Sequence, residues 1–119
     1  MKKLFLFLAT VLMMVACSDY NSPQQNNDEY YVKYTIKSAG AYYYFSDIYY
    51  TDVYGIGSAE KGHSVRSWTV TIGPVKKGFR ASVRNDYGTG NNQIEISKNN
   101  GPFALKASGQ NSATFTINY

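Results

Sequence analysis

The chain has 119 residues, and twelve Lys and Arg against eight Asp and Glu give a formal net charge of +4. Lys2 and Lys3 lie in a signal-like start, so the remainder has ten basic and eight acidic residues and a net charge of +2. That small excess is not the basic footprint of a nucleic-acid-binding protein. With 16% aromatic and 17% charged residues, the composition also excludes a disordered chain and a coiled coil, and it predicts one small folded domain.

The first 16 residues have the layout of a secretory signal peptide. Two lysines are followed by an apolar or small run from Leu4 to Ala16, which is the order that such peptides share. A membrane-spanning helix needs about 20 apolar residues, and this chain becomes polar after the shorter run. We therefore predict that residues 1–16 are a cleaved signal peptide rather than a permanent anchor.

Cys17 is the single cysteine and directly follows Met14-Val15-Ala16. This position resembles the lipobox of bacterial lipoproteins, although leucine is usual where Met14 stands. The resemblance implies lipidation of Cys17 and attachment to the membrane; the alternative is a free thiol in a secreted protein. Residues 17–29, rich in Asn and Gln, predict a polar tether after the lipidated cysteine. Asp19 resembles the surface-export signals of Bacteroidetes lipoproteins, so we expect the protein to be anchored in the outer membrane. It can face either the periplasm or the outside of the cell.

From Tyr30 onward, apolar and polar residues alternate with a period of two, which is typical of half-buried strands. The run from Ala41 to Asp52 predicts a further strand, 54–64 predicts a loop, and Gly73-Pro74 predicts a break or bulge. About seven strands result, and residues 30–119 are predicted to form an antiparallel immunoglobulin-like β-sandwich, an all-β fold. The side chains predicted to face its core are Val32, Tyr34, Ile36, Trp68, Val70, Ile72, Phe79, Ala81, Val83, Ile94, Ile96, Phe103, Leu105, Ala107, Phe115, Ile117 and Tyr119.

The sequence offers little for catalysis or for metal and nucleotide binding. His63 is the only histidine, so a zinc site would depend on carboxylates. A small hydrolase would need His63 beside an aspartate, but the nucleophile elbow G-x-S-x-G is absent from the sequence. The run 57–64 nearly spells a phosphate-binding loop, yet His63 takes the place of its lysine and a strand pattern follows. We expect no enzyme activity, catalytic residue, cofactor, metal or nucleotide.

A run of tyrosines is the unusual feature of the body. In an unbroken strand, Tyr42 and Tyr44 face one way, while Tyr43, Phe45 and Tyr49 face the other. Only one face can line the core, so the other exposes aromatic rings that a glycan or a protein can contact. The candidate binding face is therefore made of Tyr42, Tyr43, Tyr44 and Tyr49. The alternative is a purely structural role as cross-strand tyrosine pairs on a solvated sheet.

The segment from Ser67 to Phe79, SWTVTIGPVKKGF, resembles the central Trp and Lys-Gly-Phe segment of small MmpS-like β-sandwich lipoproteins of Bacteroidetes. The runs VKYTIKS, FALKASG and SATFTIN are similar in order and spacing, so the resemblance covers about residues 30–119. It differs at Ser67, where the family has a proline, and it lacks the disulfide cysteines. The resemblance implies a β-sandwich, and mycobacterial relatives imply an accessory role in lipid or siderophore export by large membrane transporters.

These features together predict a membrane-anchored, non-enzymatic lipoprotein of the bacterial cell envelope that serves as a binding or interaction module. Its expected partners are the membrane, through lipidated Cys17, and an envelope protein or glycan. The alternative is an accessory protein of an envelope transport or assembly complex. A basic cluster could sit near anionic lipid or polysaccharide, although an ordinary charged surface also explains it; its members are Lys76, Lys77, Arg80 and Arg84.

Overall fold

A computed structural model of the chain describes residues 27–40, 44–61 and 65–119. The predicted signal peptide, Cys17, Tyr42, Tyr43 and His63 lie outside the described residues. Within them the chain forms strands and turns without a helix, and so contains no helix able to cross a membrane. The strands are β1 (Tyr30–Ser38), β2 (Ser46–Thr51), β3 (Gly57–Glu60), β4 (Ser67–Val75), β5 (Arg80–Asp86), β6 (Gly90–Lys98), β7 (Ala104–Gln110) and β8 (Ser112–Thr116).

The strands form two antiparallel four-stranded sheets that share one core. The first sheet has the order β4-β1-β6-β7 and the second has the order β3-β2-β5-β8. Both sheets direct alternate side chains inward, as the period of two predicts, because successive strand residues point to opposite faces. The all-β, two-sheet sandwich is therefore confirmed. Its fully buried apolar side chains come from both sheets and include Tyr30, Val32, Tyr34, Ile36, Ile94 and Ile96 from the first and Ile48, Ala81 and Val83 from the second.

The antiparallel order gives the sandwich two ends. We call the end at which the chain enters β1 the proximal end. Tyr30, the first residue of β1, lies there opposite Val75 at the end of β4 and Lys98 at the end of β6. β2 runs toward this end, since Phe45 at its start bridges Val65 at the opposite, distal end. The turns from β2 to β3, β4 to β5 and β6 to β7 therefore lie at the proximal end. The other connections lie at the distal end, where Ser38 is opposite the first residue of β6.

The inward orientation predicted for Phe103 and Leu105 is wrong. Ala107 lies opposite Ile94, but Leu105 lies opposite the next residue, Glu95, so β7 carries one extra residue. An extra residue breaks the alternation, so the side chains before it point to the face opposite to the one predicted from those after it. Leu105 is consequently 57% exposed and Phe103 is 38% exposed, whereas Ala107 packs against the core as expected.

Trp68 and Tyr119, both predicted to face the core, lie at its margins. Trp68 is half-buried because β4 is an edge strand of its sheet. Its ring lies 5.4 Å from that of Tyr50, and its indole N–H donates a hydrogen bond to Oε2 of Glu60. Tyr119 follows the last strand and is 37% exposed, with its ring 5.8 Å from that of Tyr30. These two aromatic side chains cover the edges of the core and do not lie at its centre.

The number of strands is eight in the described residues, against an expected seven. The additional strand is β3, which lies in the run 54–64 that predicts a loop. Its sequence, GSAE, contains no β-branched or aromatic residue and so does not favour a strand by itself. It is a strand because it pairs with β2. The bulge predicted at Gly73-Pro74 is confirmed, because the pairing of β1 with β4 shifts between Tyr30 and Val32, opposite this dipeptide.

Tyr34 predicts how stability depends on alkaline pH. Burial raises the pKa of its phenol above the ordinary value of 10.0, while its O–H donates a hydrogen bond to the carbonyl of Thr51 at 2.9 Å. As pH rises, Tyr34 therefore loses its phenolic proton in the unfolded chain before it does so in the folded one. The free energy of unfolding is thus constant with respect to this group below about pH 10 and falls above pH 10 by about 1.4 kcal/mol per pH unit. Tyr34→Phe lacks this contribution. Urea unfolding between pH 9 and 11.5 checks it, and equal slopes in both proteins would contradict it.

Candidate functional site

Tyr49 reaches the outer surface of the second sheet because β2 contains a bulge. The pairing of β2 with β5 shifts between Ser46 and Ile48, and Asp47 between them has a positive φ of 48°. Phe45 and Ile48, three residues apart, are consequently both 1% exposed and face the core. The prediction that Tyr49 shares a face with Phe45 is therefore wrong, because it assumed unbroken alternation.

Arg84 covers the ring of Tyr49. The two residues are opposite each other in the pairing of β2 with β5, and the guanidinium carbon lies 4.0 Å from the ring centroid. Lys61 brings its Nζ to 5.8 Å from the same centroid. Nη1 of Arg84 also donates hydrogen bonds to both carboxylate oxygens of Asp86, at 2.9 and 3.0 Å. The guanidinium is thus held from two sides, and with the tyrosine it forms a cation–π pair on a rigid sheet.

A shallow groove of about 330 Å³ lies beside this pair. Ala59 is opposite Tyr49 and Gly57 is opposite Thr51, so β3 offers no large side chain to fill the space. We call this surface the Tyr49 face, and it is lined by Tyr49, Thr51, Gly57, Ala59, Ser82 and Arg84. It combines an aromatic ring, a fixed positive charge and hydroxyl groups, which are the apolar and polar elements that small-molecule sites combine.

Tyr44, the other described member of the predicted binding face, lies elsewhere. It is 49% exposed at the distal end, with the guanidinium of Arg66 at 5.4 Å from its ring centroid. Gly88 approaches it closely, since a Cβ added there would lie 2.0 Å from the carbonyl oxygen of Tyr44. Tyr44 and Tyr49 therefore belong to different surfaces, one at the end of the sandwich and one on its second sheet.

The aspartates that could partner His63 in a hydrolase are Asp47, Asp52 and Asp86, and each makes a structural contact. Oγ of Ser46 donates a hydrogen bond to Oδ1 of Asp47 at 3.2 Å. Oδ1 of Asp52 accepts hydrogen bonds from the amides of Tyr54 and Ile56, at 2.9 and 3.0 Å, and Asp86 pairs with Arg84. In the part of the chain that the structure describes, no group of three or more His, Cys, Asp or Glu residues could hold a metal ion. The expected lack of a metal, cofactor and enzyme activity stays a prediction.

The sequence predicted Tyr49 as a binding residue, but it did not predict the residues that surround Tyr49. It placed Arg84 in a basic cluster with Lys76, Lys77 and Arg80, and it assigned Gly57 to a loop. The outward position of Arg84 could be predicted from the alternation of its strand, but its pairing with Tyr49 could not. Comparisons of the chain with models of protein families, with curated proteins and with solved structures found no match.

Proposed function

We propose that this chain is a membrane-anchored, non-enzymatic bacterial lipoprotein that binds a glycan of the cell envelope through its Tyr49 face. The observation that carries the proposal is the groove beside Tyr49, in which an aromatic ring, a guanidinium and hydroxyl groups converge. Tyr49 is half-buried and lines this groove, and an aromatic ring that reaches a groove can pack against the C–H face of a sugar ring. Arg84, Ser82 and Thr51 supply the hydrogen-bonding groups that a sugar's hydroxyl or carboxylate groups require.

The proposed anchor is lipidated Cys17, in agreement with its position after an apolar run and a small residue. Twelve residues separate it from Tyr30, where the sandwich begins. Lipid on this cysteine would hold the domain at the outer membrane, facing either the periplasm or the outside. Several acyl chains are needed, because a single chain binds membranes only reversibly.

We infer that the sandwich is immunoglobulin-like in its connections. Support comes from the pairing of β1 with β4 in one sheet and of β2 with β5 in the other. The chain crosses between the sheets after β1, β3, β4, β5 and β7, whereas β2–β3 and β6–β7 are hairpins within one sheet. Greek-key sandwiches have such connections. Binding surfaces of these sandwiches are loops at the ends or the outer faces of the sheets, and the Tyr49 face is of the second kind.

The test compares two matched tyrosine variants of the full, lipidated protein. Tyr49→Ala removes the ring from the second sheet, and Tyr31→Ala removes an equally half-buried ring from the outer face of the first. Glycans from the envelope of the producing bacterium are captured on each immobilised protein and identified by mass spectrometry. We expect one glycan class to bind the wild type and Tyr31→Ala, with about a tenfold loss of affinity, near 1.4 kcal/mol, in Tyr49→Ala.

Equal glycan capture by all three proteins would contradict a role of Tyr49 in binding. Capture of a transporter or another envelope protein, lost in Tyr49→Ala, would instead support the accessory role in an envelope complex. Circular dichroism of each variant ensures that a loss of binding is not a loss of folding.

A further inference from the structure

The turn between β2 and β3 exposes three apolar side chains at the proximal end. Val53 is 39%, Tyr54 is 83% and Ile56 is 63% exposed. Single exposed apolar residues are ordinary on protein surfaces, but here three lie within four consecutive positions of one tight turn. An apolar cluster that faces water favours contact with something less polar.

Hydrogen bonds fix this turn in one conformation. Oδ1 of Asp52 accepts from the amides of Tyr54 and Ile56, at 2.9 and 3.0 Å. The amide of Asp52 donates to the carbonyl of Ile56 at 2.8 Å, and the amide of Gly55 donates to the carbonyl of Asp52 at 3.0 Å. An aspartate that caps its own turn in this way preorganises it. The backbone that carries the apolar side chains is therefore already ordered before any partner binds, which lowers the entropy lost on binding.

The turn projects from the end of the sandwich that the chain enters. The twelve residues from Ser18 to Glu29 can span at most about 45 Å between Cys17 and Tyr30 even when fully extended. A lipid on Cys17 would therefore hold the proximal end, where the tether joins the sandwich, within about 45 Å of the bilayer. The turn from β4 to β5, which bears the exposed Lys76 and Lys77, lies at the same end.

We propose that Val53, Tyr54 and Ile56 insert into the surface of the membrane that holds the lipid anchor, with Lys76 and Lys77 against anionic headgroups. Tyrosine suits the boundary between headgroups and acyl chains, since its ring is apolar and its hydroxyl is polar. Lysines near an anionic leaflet add electrostatic attraction. The domain then stands on its proximal end, with the Tyr49 face at its side and Tyr44 pointing away from the bilayer. This proposal rests on the proposed anchoring through Cys17.

We infer that the partner of the apolar turn is a lipid surface for two reasons. The proposed anchor on Cys17 tethers the proximal end to a membrane, and Lys76 and Lys77 lie at the same end as the turn. Asp28, an acidic residue at the same end, is itself balanced by Lys98, whose Nζ lies 3.5 Å from its carboxylate. The proximal end can therefore approach anionic lipid with this acidic side chain already paired. A protein partner or a second copy of the chain is an outcome that the test separates.

The test uses the full lipidated protein, reconstituted into vesicles of phosphatidylcholine and phosphatidylglycerol. Cys17 is the only cysteine, so its acylation leaves an introduced thiol as the single site for a nitrobenzoxadiazole dye. Ile56→Cys places the dye on the turn, with Tyr54→Cys as a second probe if the first fails to fold. Tyr87→Cys is the control, because Tyr87 is 79% exposed at the distal end. We expect lipids with a doxyl quencher to reduce dye emission at positions 54 and 56 but not at 87.

Flotation of the same vesicles distinguishes failure of this proposal from failure of the anchor. A protein that floats with dye at 54 and 56 unquenched keeps its anchor and overturns the insertion of the turn. Equal quenching at all three positions, or a blue shift without quenching, which indicates protein contact, overturns it as well. A protein that fails to float overturns both the anchor and the insertion. Vesicles of phosphatidylcholine alone should give weaker quenching, and equal quenching would overturn the role of Lys76 and Lys77.

Discussion

We expect Ile94→Ala to lower the free energy of unfolding by about 2 to 5 kcal/mol and Leu105→Ala to change it by less than about 0.5 kcal/mol. The two substitutions remove aliphatic side chains of equal carbon number from neighbouring strands of one sheet. Ile94 is fully buried and lies opposite Tyr34 in the pairing of β1 with β6. Leu105 is 57% exposed, on the outer face to which the bulge in β7 directs it.

The large effect follows from the position of Ile94 between the sheets. Its truncation removes apolar contacts and leaves a cavity that β1 and β7, the strands on either side, cannot close without distorting their pairing. Truncation of Leu105 removes few buried apolar contacts, because most of its side chain already faces solvent. Urea unfolding followed by circular dichroism measures both values. Similar costs for the two variants would contradict the assignment of their faces and hence the bulge that separates them.

We expect Asn92→Leu to destabilise the protein by about 1 to 3 kcal/mol through the lost hydrogen bond, because the buried Oδ1 of Asn85 loses its donor, whereas the carbonyl of Gly90 keeps the amide of Asn111 at 2.7 Å. Asn92 is fully buried, and its Nδ2 donates to Oδ1 of Asn85 at 2.9 Å and to the carbonyl of Gly90 at 3.1 Å. Oδ1 of Asn111 accepts from the amide of Gly90 at 3.0 Å. These contacts join β5, β6 and the turn before β8, so the network closes the distal end of the sandwich.

Leucine keeps the branching of asparagine at Cγ but is larger, so the measured cost combines the lost hydrogen bond with overpacking of the buried position. The matched control is Asn91→Leu, which makes the same change at the adjacent, exposed position of β6 and should alter stability by less than about 0.5 kcal/mol. Denaturant unfolding of both variants gives the comparison. A stable Asn92→Leu protein would mean that the buried network contributes little.

Alternation predicts the core well where strand pairing is regular. Val32, Tyr34 and Ile36 are all fully buried, as a period of two requires. It fails across an extra residue, because each of the two bulges, at Asp47 and in β7, breaks the alternation between the residues before it and those after it. Such bulges depend on how the partner strand is paired, and that information is absent from the strand's own sequence.

Two further differences have related causes. β3 and the first residues of β6 consist of small or polar residues, which predict turns, and pairing with β2 and β1 makes them strands. Asn92 is buried although asparagine is typical of turns, since Asn85 and Gly90 accept its hydrogen bonds. Local composition does not contain these partners, so it could not predict the strands.

The candidate site could be predicted in part. The tyrosine run led to Tyr49, but the contact with Arg84 joins residues 35 positions apart through the register of β2 and β5. That register includes the bulge at Asp47. Small residues on β3 form the rest of the groove, and they show no signal of binding by themselves.

The mass of the mature protein extracted from membranes tests the proposed anchor most directly. We expect an intact chain that begins at Cys17 and carries several acyl chains on that residue, and we expect Cys17→Ser to lack them and to leave the membrane fraction. A membrane-extracted chain with an unmodified Cys17, or one that still begins at Met1, would contradict the lipid anchor on which both proposals depend.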